Sequence, residues 1–558
     1  MTATGSMEII ALGGLGEIGM NLMVYGFDDK LLVVDCGLAF PGNDTPGIDV
    51  IIPDVGYLIA NRDRVVGFVL THGHEDHVGA MPYVWPDVEG PIYGSAMTLG
   101  LLRGKFREHR LLDRATMVEC GNRQPFQVGP FNLCMIQVSH SIVDSYALAI
   151  KTPLGTIIHT GDFKIDHTPV DKRPTDLFAL ARYGEGGVLA LLSDSTNINR
   201  PGATVSEKVV AEALAKVFAK ARAMIIVATF ASNIQRIQQI FDAACAINRK
   251  VVISGRSMQT NIEVARSLGF LRIPEGTIID VRSLSQHPRQ TIVVLSSGSQ
   301  GEQNSSLTRI ANGEHREITI QPDDMVILSS RFIPGNEQTI WSLVNRMSRL
   351  GAEVIHEHNL PSIHVSGHAP REDLKLMLAL TRPKFFIPIH GEIRHLHSHR
   401  QLAMQMGVAP ENALVAENGD RIVLHQDAIV IDGRIPSGRT FVDGKGIGDI
   451  SDIVLRDRRH LSEDGMVIVV LIVEKSSGKM LQRPELLTRG VVTEEDNRDL
   501  LEQAKAAVEE ALLLGPKGMD FADDEGAGPT ELAQRAIRRL FKRKLGRRPA
   551  VIPLVMEM

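Results

Sequence analysis

The hexapeptide HGHEDH at residues 72–77 constrains this chain more than any other segment, because it sets three imidazoles and two carboxylates on one short loop. The apolar run at residues 65–71 before it predicts a buried strand, so the loop lies at a strand end, where functional side chains concentrate. Imidazole and carboxylate are the ligands of hydrolytic zinc and manganese sites. The hexapeptide therefore predicts a metal site at the end of this strand.

The spacing within the hexapeptide indicates two adjacent ions. A single short loop cannot fold back far enough for all of its donors to reach one ion, so we expect two ligand pairs. His72 and His74 would bind one ion, and Asp76 and His77 the other. A surface histidine cluster or a single structural ion is the alternative. The H-x-H-x-D-H spacing is more specific than a lone H-x-H and favours the two-ion site.

Composition leaves room for a large core and excludes several protein classes. Of the 558 residues, 44% are apolar and 23% are charged, as in ordinary globular proteins. The longest apolar run, residues 466–473, is too short for a membrane span, which needs about 20 residues. The first 14 residues lack the Lys or Arg of a secretory signal. We expect a protein with no membrane partner.

The four cysteines are scattered without CxxC spacing. This pattern suits a reducing compartment and predicts a cytoplasmic protein without thiolate metal sites. The net charge of −6 excludes a globally basic protein. Any contact with nucleic acid must therefore come from a local patch or from the metal site itself.

Residues 14–19, GLGEIG, match the GxGxxG pattern of dinucleotide-binding sites. Such a site needs a crossover helix between its two strands. Here residues 21–27 alternate like a strand, residues 28–30 favour a turn and residues 31–34 favour a second strand, which together predict a hairpin. We therefore expect these glycines to let the backbone pass close to the floor of the site instead.

Three further polar residues lie at the ends of predicted strands. Asp35 either orients the metal-ligand loop or caps a turn, and both interpretations stay open. His140 follows a strand predicted at residues 131–138 and would complete the ligand set of the first ion. Asp162 follows the apolar run at residues 156–160, and its two oxygens and its charge suit it to bridge both ions.

From residue 206 the pattern changes to a regular alternation of helices and strands that continues to residue 350. Alternation at this spacing predicts a parallel sheet with helices on both faces, and hence a separate domain inserted into the first. Asp194 lies at the end of the strand before this alternation. Ser232 and Asn233 lie at a helix start, where they either bind phosphate or merely cap the helix, and the two interpretations stay open.

After the alternation we expect the first domain to resume. His368 precedes a predicted helix at residues 371–381 and is a candidate acid or phosphate contact. The following strand, residues 383–389, ends in His390, which can close the coordination of the second ion. A second histidine-rich string at residues 394–399 is interpreted as the surface of a helix, because the ligands are already supplied.

The order of these motifs resembles the metallo-β-lactamase superfamily, which has an αββα sandwich with a two-metal site along one edge. A sandwich of this kind split by an α/β domain is similar to the β-CASP branch, which acts on nucleic acids. The three further motifs of that branch match Asp194, His368 and His390. The runs HGHEDHVGA, SDST, PGNE (334–337), HVSGHA and PIHGE most resemble bacterial ribonuclease J, and the resemblance covers roughly residues 8–440.

The resemblance implies a role for each of these residues. Two divalent ions, zinc or alternatively manganese, would be held by His72, His74, His140, Asp76, His77 and His390, with Asp162 between them. The catalytic residues would be Asp76, Asp194 and His368, with Asp35 behind the ligands. A pocket for a substrate phosphate would be formed by Ser232, Asn233, His364, Ser366, Gly367 and His368.

The activity that the resemblance implies is a 5′→3′ exonuclease on single-stranded RNA with a 5′ monophosphate, which also makes endonuclease cuts in RNA maturation and decay. Two metals would promote hydrolysis of the phosphodiester. Three alternatives differ from this activity in their sequence requirements. A hydrolase of small esters would lack the inserted domain, and an inactive scaffold would lack a ligand. A DNA-acting β-CASP nuclease would differ in its contacts to the 2′-OH.

These patterns together predict an α/β chain of four segments. They are a first part of the metallo-β-lactamase domain at 1–203, a β-CASP insert at 204–360, the second part with a linker at 361–445, and a small α+β C-terminal domain at 446–558. The last segment contains a predicted loop at 515–529 and a basic helix at 531–545. Three interpretations of that helix stay open: it binds RNA phosphates, it is a solvated face, or it binds an acidic neighbouring subunit. The resemblance implies a homodimer or homotetramer formed through this region.

Overall fold

A computed structural model describes residues 5–42, 44–333, 335–444, 446–475, 479–493, 495–514 and 528–558. The chain divides into two compact units, Met1–Ala39 with Ile51–Thr440, and Phe40–Val50 with Phe441–Met558. Pro334 of the PGNE run and most of the loop predicted at 515–529 lie outside the described residues. The four-segment division stays a prediction.

The first unit contains an eight-stranded sheet that carries the HGHEDH loop. Its strands, in spatial order, are Ile429–Arg434, Asp420–Leu424, Met7–Gly13, Leu22–Phe27, Lys30–Val34, Val65–Val69, Ile92–Gly94 and Met117–Glu119. Met23 pairs with Val34 in an antiparallel ladder, which confirms the predicted hairpin. The parallel crossovers between the last four strands contain helices Gly56–Ala60, Glu75–Val78, Met81–Val88 and Ala96–Glu108.

A six-stranded sheet packs against the first. Its strands, in spatial order, are Phe385–Ile389, Val188–Asp194, Gly155–His159, Ser145–Thr152, Phe131–Val138 and Pro125–Val128. Because side chains alternate along a strand, Ile157 enters the core between the sheets and Ile158 packs on the outer face. The outer face is covered by helices Leu177–Gly186, Arg371–Thr381 and Ile393–Gln405. Two facing sheets with helices outside confirm the αββα sandwich.

The inserted alternation forms a five-stranded sheet in which every pairing is parallel. Its strands, in spatial order, are Lys250–Ser254, Ile292–Ser296, Ile225–Ala228, Met325–Leu328 and Glu353–Ile355. Its helices are Lys208–Lys220, Ile234–Ala246, Arg256–Ser267, Ser306–Ala311 and Glu337–Arg349. Ile225 and Ile226 belong to hydrophobic clusters on opposite faces of the sheet, so helices cover both faces as predicted. The helices that begin at Arg256 and Ser306 were not predicted.

The second unit is a small α+β domain. Its three-stranded sheet contains Met480–Arg489, Met466–Val473 and Ala550–Glu557, and its helices are Asp452–Asp464, Arg498–Leu514 and Pro529–Leu545. Val467 and Val469 pack on the last two helices, which include the predicted basic helix. Over the parts of the chain that the structure describes, every helix is too short or too polar to cross a membrane.

Replacing Gly184 with Ala is expected to destabilise the first unit, because the added Cβ would overlap the carbonyl oxygen of Leu380 on the neighbouring helix. We expect a loss of about 1–3 kcal/mol in the free energy of unfolding, the usual cost of overpacking, measured by denaturant titration. Gly186 lies on the same helix, and an added Cβ there meets no atom within 4 Å. Gly186→Ala is therefore the matched control, and an equal loss in both variants would contradict this packing.

Candidate metal centre

The HGHEDH loop is held by the end of the preceding hairpin. The backbone N–H of Cys36 donates to the carbonyl of His77 at 2.7 Å, and that of Asn21 donates to the carbonyl of Asp76 at 3.0 Å. Gly37 lies so close that a Cβ there would overlap the carbonyl of Asp76. These contacts fix the backbone of the loop, and with it the directions of the loop's side chains.

The predicted ligands converge in two clusters that share Asp162. In each cluster the ligand atoms lie within 4.8 Å of one another. The first cluster contains His72, His74, His140 and Asp162, and the second contains Asp76, His77, Asp162 and His390. Three strand ends of the six-stranded sheet, which carry His140, Asp162 and His390, thus meet the loop of the eight-stranded sheet at one edge of the sandwich. The ligand pairs expected from the hexapeptide do separate between the two clusters.

The donor chemistry of the first cluster fits a divalent cation. Nε2 of His72 and Nε2 of His140 each lie 3.1 Å from Nδ1 of His74. Burial lowers the pKa of all three rings, that of His74 to about 4, so they are neutral at pH 7 and their lone pairs are free. Neutral imidazoles facing one another in a buried site are suited to share an ion.

Asp162 supplies the negative charge for both clusters. Its burial favours the neutral acid, but the adjacent His390 and His77 hold the pKa of Asp162 well below its usual value. Its Oδ1 is buried and makes no hydrogen bond to any described residue, although Nε2 of His77 lies 3.3 Å away. A buried carboxylate oxygen without a hydrogen bond is what a bridging metal ligand presents before the ion binds.

Other groups orient the ligand rings from behind. Oδ2 of Asp35 lies 2.7 Å from Nδ1 of His77, and Asp35 also accepts hydrogen bonds from the N–H and the hydroxyl of Thr71 at 2.8 Å. Asp35 thus contacts both a ligand ring and the loop backbone. Nδ1 of His140 donates to the carbonyl of Gly367 at 2.8 Å, which leaves Nε2 of that ring to face the cluster.

His368 and Asp194 form a pair beside the two clusters. Nδ1 of His368 lies 2.8 Å from Oδ2 of Asp194, and both belong to a third His/Asp cluster with Asp162 and His390. Burial would lower the pKa of His368, but the carboxylates of Asp194 and Asp162 raise it above its ordinary value. These carboxylates therefore favour the protonated form of the ring.

Two residues in the SDST segment and its extension were missed by sequence reasoning. The hydroxyl of Thr196 lies 2.7 Å from Nδ1 of His390 and donates to Asp194 at 2.7 Å. Nδ2 of Asn197 donates to the hydroxyl of Ser366 at 2.8 Å and to the carbonyl of His368 at 2.9 Å. Their position directly after Asp194 was the signal that could have identified them.

The residues of the predicted phosphate pocket occupy two segments. Asn233, rather than Ser232, caps helix Ile234–Ala246, since its Oδ1 accepts from the N–H of Arg236. A Cβ at Gly367 would approach the ring of His140 to 2.8 Å, so glycine is required there. Nδ2 of Asn233 and Nδ1 of His364 are buried and lack a hydrogen-bond partner within the described ranges.

The histidine-rich string at 394–399 was interpreted as helix surface, and this was wrong for two of its histidines. His395 is buried and its Nδ1 accepts from the N–H of Glu392 at the helix start. His399 is fully buried, and its Nδ1 lies 3.0 Å from the hydroxyl of Ser195. His397 alone among the three is exposed. The spacing of four residues between the buried pair places both on the inner side of the helix.

The split αββα sandwich and its clustered His and Asp residues define a metallo-hydrolase of the β-CASP type. Family models match along the chain: the ribonuclease J β-CASP domain at 222–347, the Zn-dependent metallo-hydrolase RNA specificity domain at 358–415, and the ribonuclease J C-terminal domain at 453–558. A crystal structure of a protein of unknown function from Enterococcus faecalis V583 has a similar fold, with a TM-score of 0.53 and 17% identity, over 75% of this chain and 100% of that one.

Proteins that are similar to this chain over nearly its whole length agree with these family models. Ribonuclease J 1 of Streptococcus pyogenes is 41% identical over 98% of this chain and 97% of its own length. Ribonuclease J2 of Bacillus subtilis is 37% identical over 100% and 99%, and ribonuclease J of Helicobacter pylori is 39% identical over 99% and 80%. The chain belongs to the ribonuclease J family. It is a metal-dependent ribonuclease, which confirms the predicted fold, enzyme class and RNA substrate.

Metal uptake by the chelator-treated protein is expected to release protons at pH 7. Burial alone would lower the pKa of His390, but Asp162, Asp194 and Asp76 raise it to about 10. His390 therefore carries a proton that a metal ion must displace. Zn²⁺ affinity should therefore fall as pH falls. Calorimetry in two buffers of different ionisation enthalpy counts the protons released.

Two variants check this measurement. His390→Ala should release fewer protons than the unaltered protein, whereas the exposed His397→Ala should release the same number. Identical heats of metal binding in both buffers would contradict the assignment of a protonated His390.

Proposed function

We propose that this ribonuclease is a 5′→3′ exonuclease that prefers RNA with a 5′ monophosphate, that it also makes endonuclease cuts, and that it acts in RNA maturation and decay. The observation that carries the proposal is the pair of clusters that share Asp162, with the His368–Asp194 pair beside them. Together they supply metal ligands and a proton donor around one point, as hydrolysis of a phosphodiester requires.

Two divalent ions are proposed for the two clusters. His72, His74 and His140 would hold the first ion, Asp76, His77 and His390 would hold the second, and Asp162 would bridge them. Zinc is the proposed metal and manganese the alternative, because both accept imidazole with carboxylate. When bound, such ions supply Lewis acidity, which acidifies the attacking water and offsets the charge that develops on the phosphate oxygens.

The protein itself orients the reacting groups. Asp35 and the carbonyl of Gly367 hold the rings of His77 and His140 from behind, so these ligands are positioned before substrate arrives. Preorganised groups of this kind avoid a reorganisation cost during the reaction.

His368 is the proposed general acid. Its side chain is 21% exposed, so substrate can reach it, while Asp194 binds its Nδ1 and favours the protonated ring. As the oxygen of water bonds to phosphorus, the bond from phosphorus to the 3′ oxygen breaks, and Nε2 of His368 gives its proton to that oxygen. The attacking water loses a proton to solvent, and solvent protonates the ring of His368 again. The phosphate stays on the 5′ end of the downstream fragment, which is the end that an enzyme of this polarity needs next.

A pocket for the 5′ monophosphate is proposed from Ser232, Asn233, His364, Ser366, Gly367 and His368. Two buried atoms support it, Nδ2 of Asn233 and Nδ1 of His364, since the described residues leave both without a hydrogen-bond partner. A phosphate would satisfy such groups, because its oxygens accept several hydrogen bonds. A triphosphate would not fit a closed pocket of this kind.

We also propose that the second unit joins copies of this chain into a homodimer or homotetramer. One face of its sheet packs on helices, but the opposite face exposes Ile552, Leu554 and Met556 on one strand and Leu487 on another. A contiguous apolar face of this kind marks a site of association. The cytoplasmic location stays a prediction.

Replacing His368 with Asn is expected to lower kcat by about 10²–10⁴-fold, the usual contribution of a general acid. The rate would be followed by the shortening of RNA labelled at its 3′ end. In the unaltered protein the rate should fall as pH rises through the pKa of His368, and the variant should lose that limb. Exposed His397→Asn is the control, and an unchanged kcat in His368→Asn would rule out the acid role.

Replacing Asn233 with Asp tests the phosphate pocket without removing the helix cap, because the new carboxylate can still accept from the N–H of Arg236. The substitution exchanges the amide donor for a negative oxygen, so we expect KM for 5′-monophosphate RNA to rise by about tenfold or more. KM for RNA with a 5′ hydroxyl should stay the same. Should Asn233→Asp and Ser366→Ala both keep the monophosphate preference, the pocket is misplaced.

Replacing Leu554 with Glu is expected to separate the assembly into smaller species, because the charge would have to be buried at the interface. Light scattering on the purified protein measures the mass. Leu513→Glu is the matched control, since Leu513 lies in the same unit and is 82% exposed, against 51% for Leu554. Equal masses for all three proteins would refute an interface on this sheet face.

A further inference from the structure

Two arginines beside the catalytic site lack the acidic partners that buried arginines usually have. Arg200 and Arg331 are both partly buried, and burial lowers the pKa of each. Both adjoin Asn197, because the N–H of Arg200 donates to the carbonyl of Asn197 at 2.9 Å and Nη1 of Arg331 donates to its Oδ1 at 3.0 Å. The positive charge of Arg200 lowers the pKa of Arg331 further. No described carboxylate lies within ion-pair distance of either, although the charge of Glu357 acts on both.

The backbone around Arg331 is fixed by three hydrogen bonds from other segments. Nε2 of Gln300 donates to the carbonyl of Arg331 at 2.8 Å, and Oε1 of Gln300 accepts from the N–H of Ile333 at 2.9 Å. Oε1 of Glu357 accepts from the N–H of Phe332 at 2.8 Å. The carboxylate of Glu357 is thus engaged with the backbone, and the arginine is held in place before any ligand binds.

A single side chain connects Arg331 to the catalytic turn. Nη1 of Arg331 donates to Oδ1 of Asn197 at 3.0 Å. The amide nitrogen of the same Asn197 donates to Ser366 and to the carbonyl of His368. The arginine pair therefore lies one residue away from the general acid, but it makes no contact with the metal clusters through described side chains.

A group of aromatic rings begins with Phe332, the residue directly after Arg331. Phe332 contacts Trp341, His356 and His358, with ring centroids between 4.9 and 6.0 Å apart. Phe332 is buried, whereas Trp341 is 38% exposed and His358 is exposed. Guanidinium groups next to exposed rings are the combination with which proteins bind single-stranded nucleic acids, since one neutralises phosphate and the other stacks on bases.

The charge arrangement indicates what binds there. Two like charges that are partly removed from water raise the free energy of the folded protein, and an anion between them relieves this. The planar guanidinium fork matches two phosphate oxygens. We propose that Arg200 and Arg331 bind one backbone phosphate of the RNA, distinct from both the scissile phosphate and the 5′-terminal one. This inference rests on the proposed exonuclease reaction.

The test measures KM, kcat and salt dependence for release of the first nucleotide from a 5′-monophosphate RNA of about ten nucleotides, with the metal-loaded protein. Arg200→Gln and Arg331→Gln should each raise KM by about tenfold and leave kcat within about twofold. Each should also reduce the slope of log(kcat/KM) against log[salt] by about 0.7, the value for one lost phosphate contact to a single strand. Arg331→Lys, which keeps the charge, should retain most of that slope.

Arg282→Gln is the matched control, because it removes a positive charge from the same domain at a position paired with Asp280. It should change neither KM nor the slope. A second measurement replaces one linkage of the RNA at a time with a neutral methylphosphonate. One internal linkage should weaken binding to the unaltered protein and have little effect on Arg331→Gln.

Three results would overturn the assignment. A loss of kcat without a change in KM would mean that Arg331 only positions His368. An effect that disappears with 5′-hydroxyl RNA would place the terminal phosphate at this pair. Equal sensitivity to the neutral linkages in the variants and in the unaltered protein would remove the phosphate contact. If the unaltered protein shortens no RNA in the same assay, the proposed function itself fails, which is distinct from these three results.

Discussion

The buried carboxylate of Asp162 is the group on which the rest of the catalytic site depends. All three His/Asp clusters of the described residues include it. A buried anion is tolerated only when positive or hydrogen-bonding groups surround it. His77 and His390 lie against this carboxylate, and its charge raises the pKa of both rings. The neutral ligands His72 and His140 then face this anion at 3.7 Å.

The packing of the two sheets brings these groups together. The HGHEDH loop leaves the eight-stranded sheet, whereas Asp162, Asp194 and His390 follow three strands of the six-stranded sheet that run parallel to one another. Parallel strands end at the same edge, so their terminal residues meet there. The ring of residues around the metals is therefore a consequence of strand direction, and a sheet with one strand reversed would send its ligand to the opposite edge.

The inserted domain supports this edge through a buried charge network. Arg236, at the start of its second helix, ion-pairs with Glu207 at 2.8 Å, and Glu207 also ion-pairs with Lys164 of the sandwich. Arg236 donates as well to the carbonyls of Ser329 and Ile363, just before the segment that carries His368. These buried contacts join the insert and the six-stranded sheet to the turn that carries His368, so they orient the segments of the proposed phosphate pocket relative to the His/Asp clusters.

Much of the fold and of the ligand set could be predicted from the sequence, because strand periodicity and the H-x-H-x-D-H spacing are local properties. The hairpin at Leu22–Val34, which excluded a dinucleotide site, also followed from local alternation. Only the tertiary structure decided which distant groups meet. Asn197 has its role because it donates hydrogen bonds to Ser366 and His368, which lie more than 160 positions later in the chain. His399 is buried beside Ser195, and Arg331 reaches Asn197, the residue that Arg200 also contacts, only in the folded chain. Contacts between residues far apart in sequence depend on how the sheets and loops pack, and no local pattern records them.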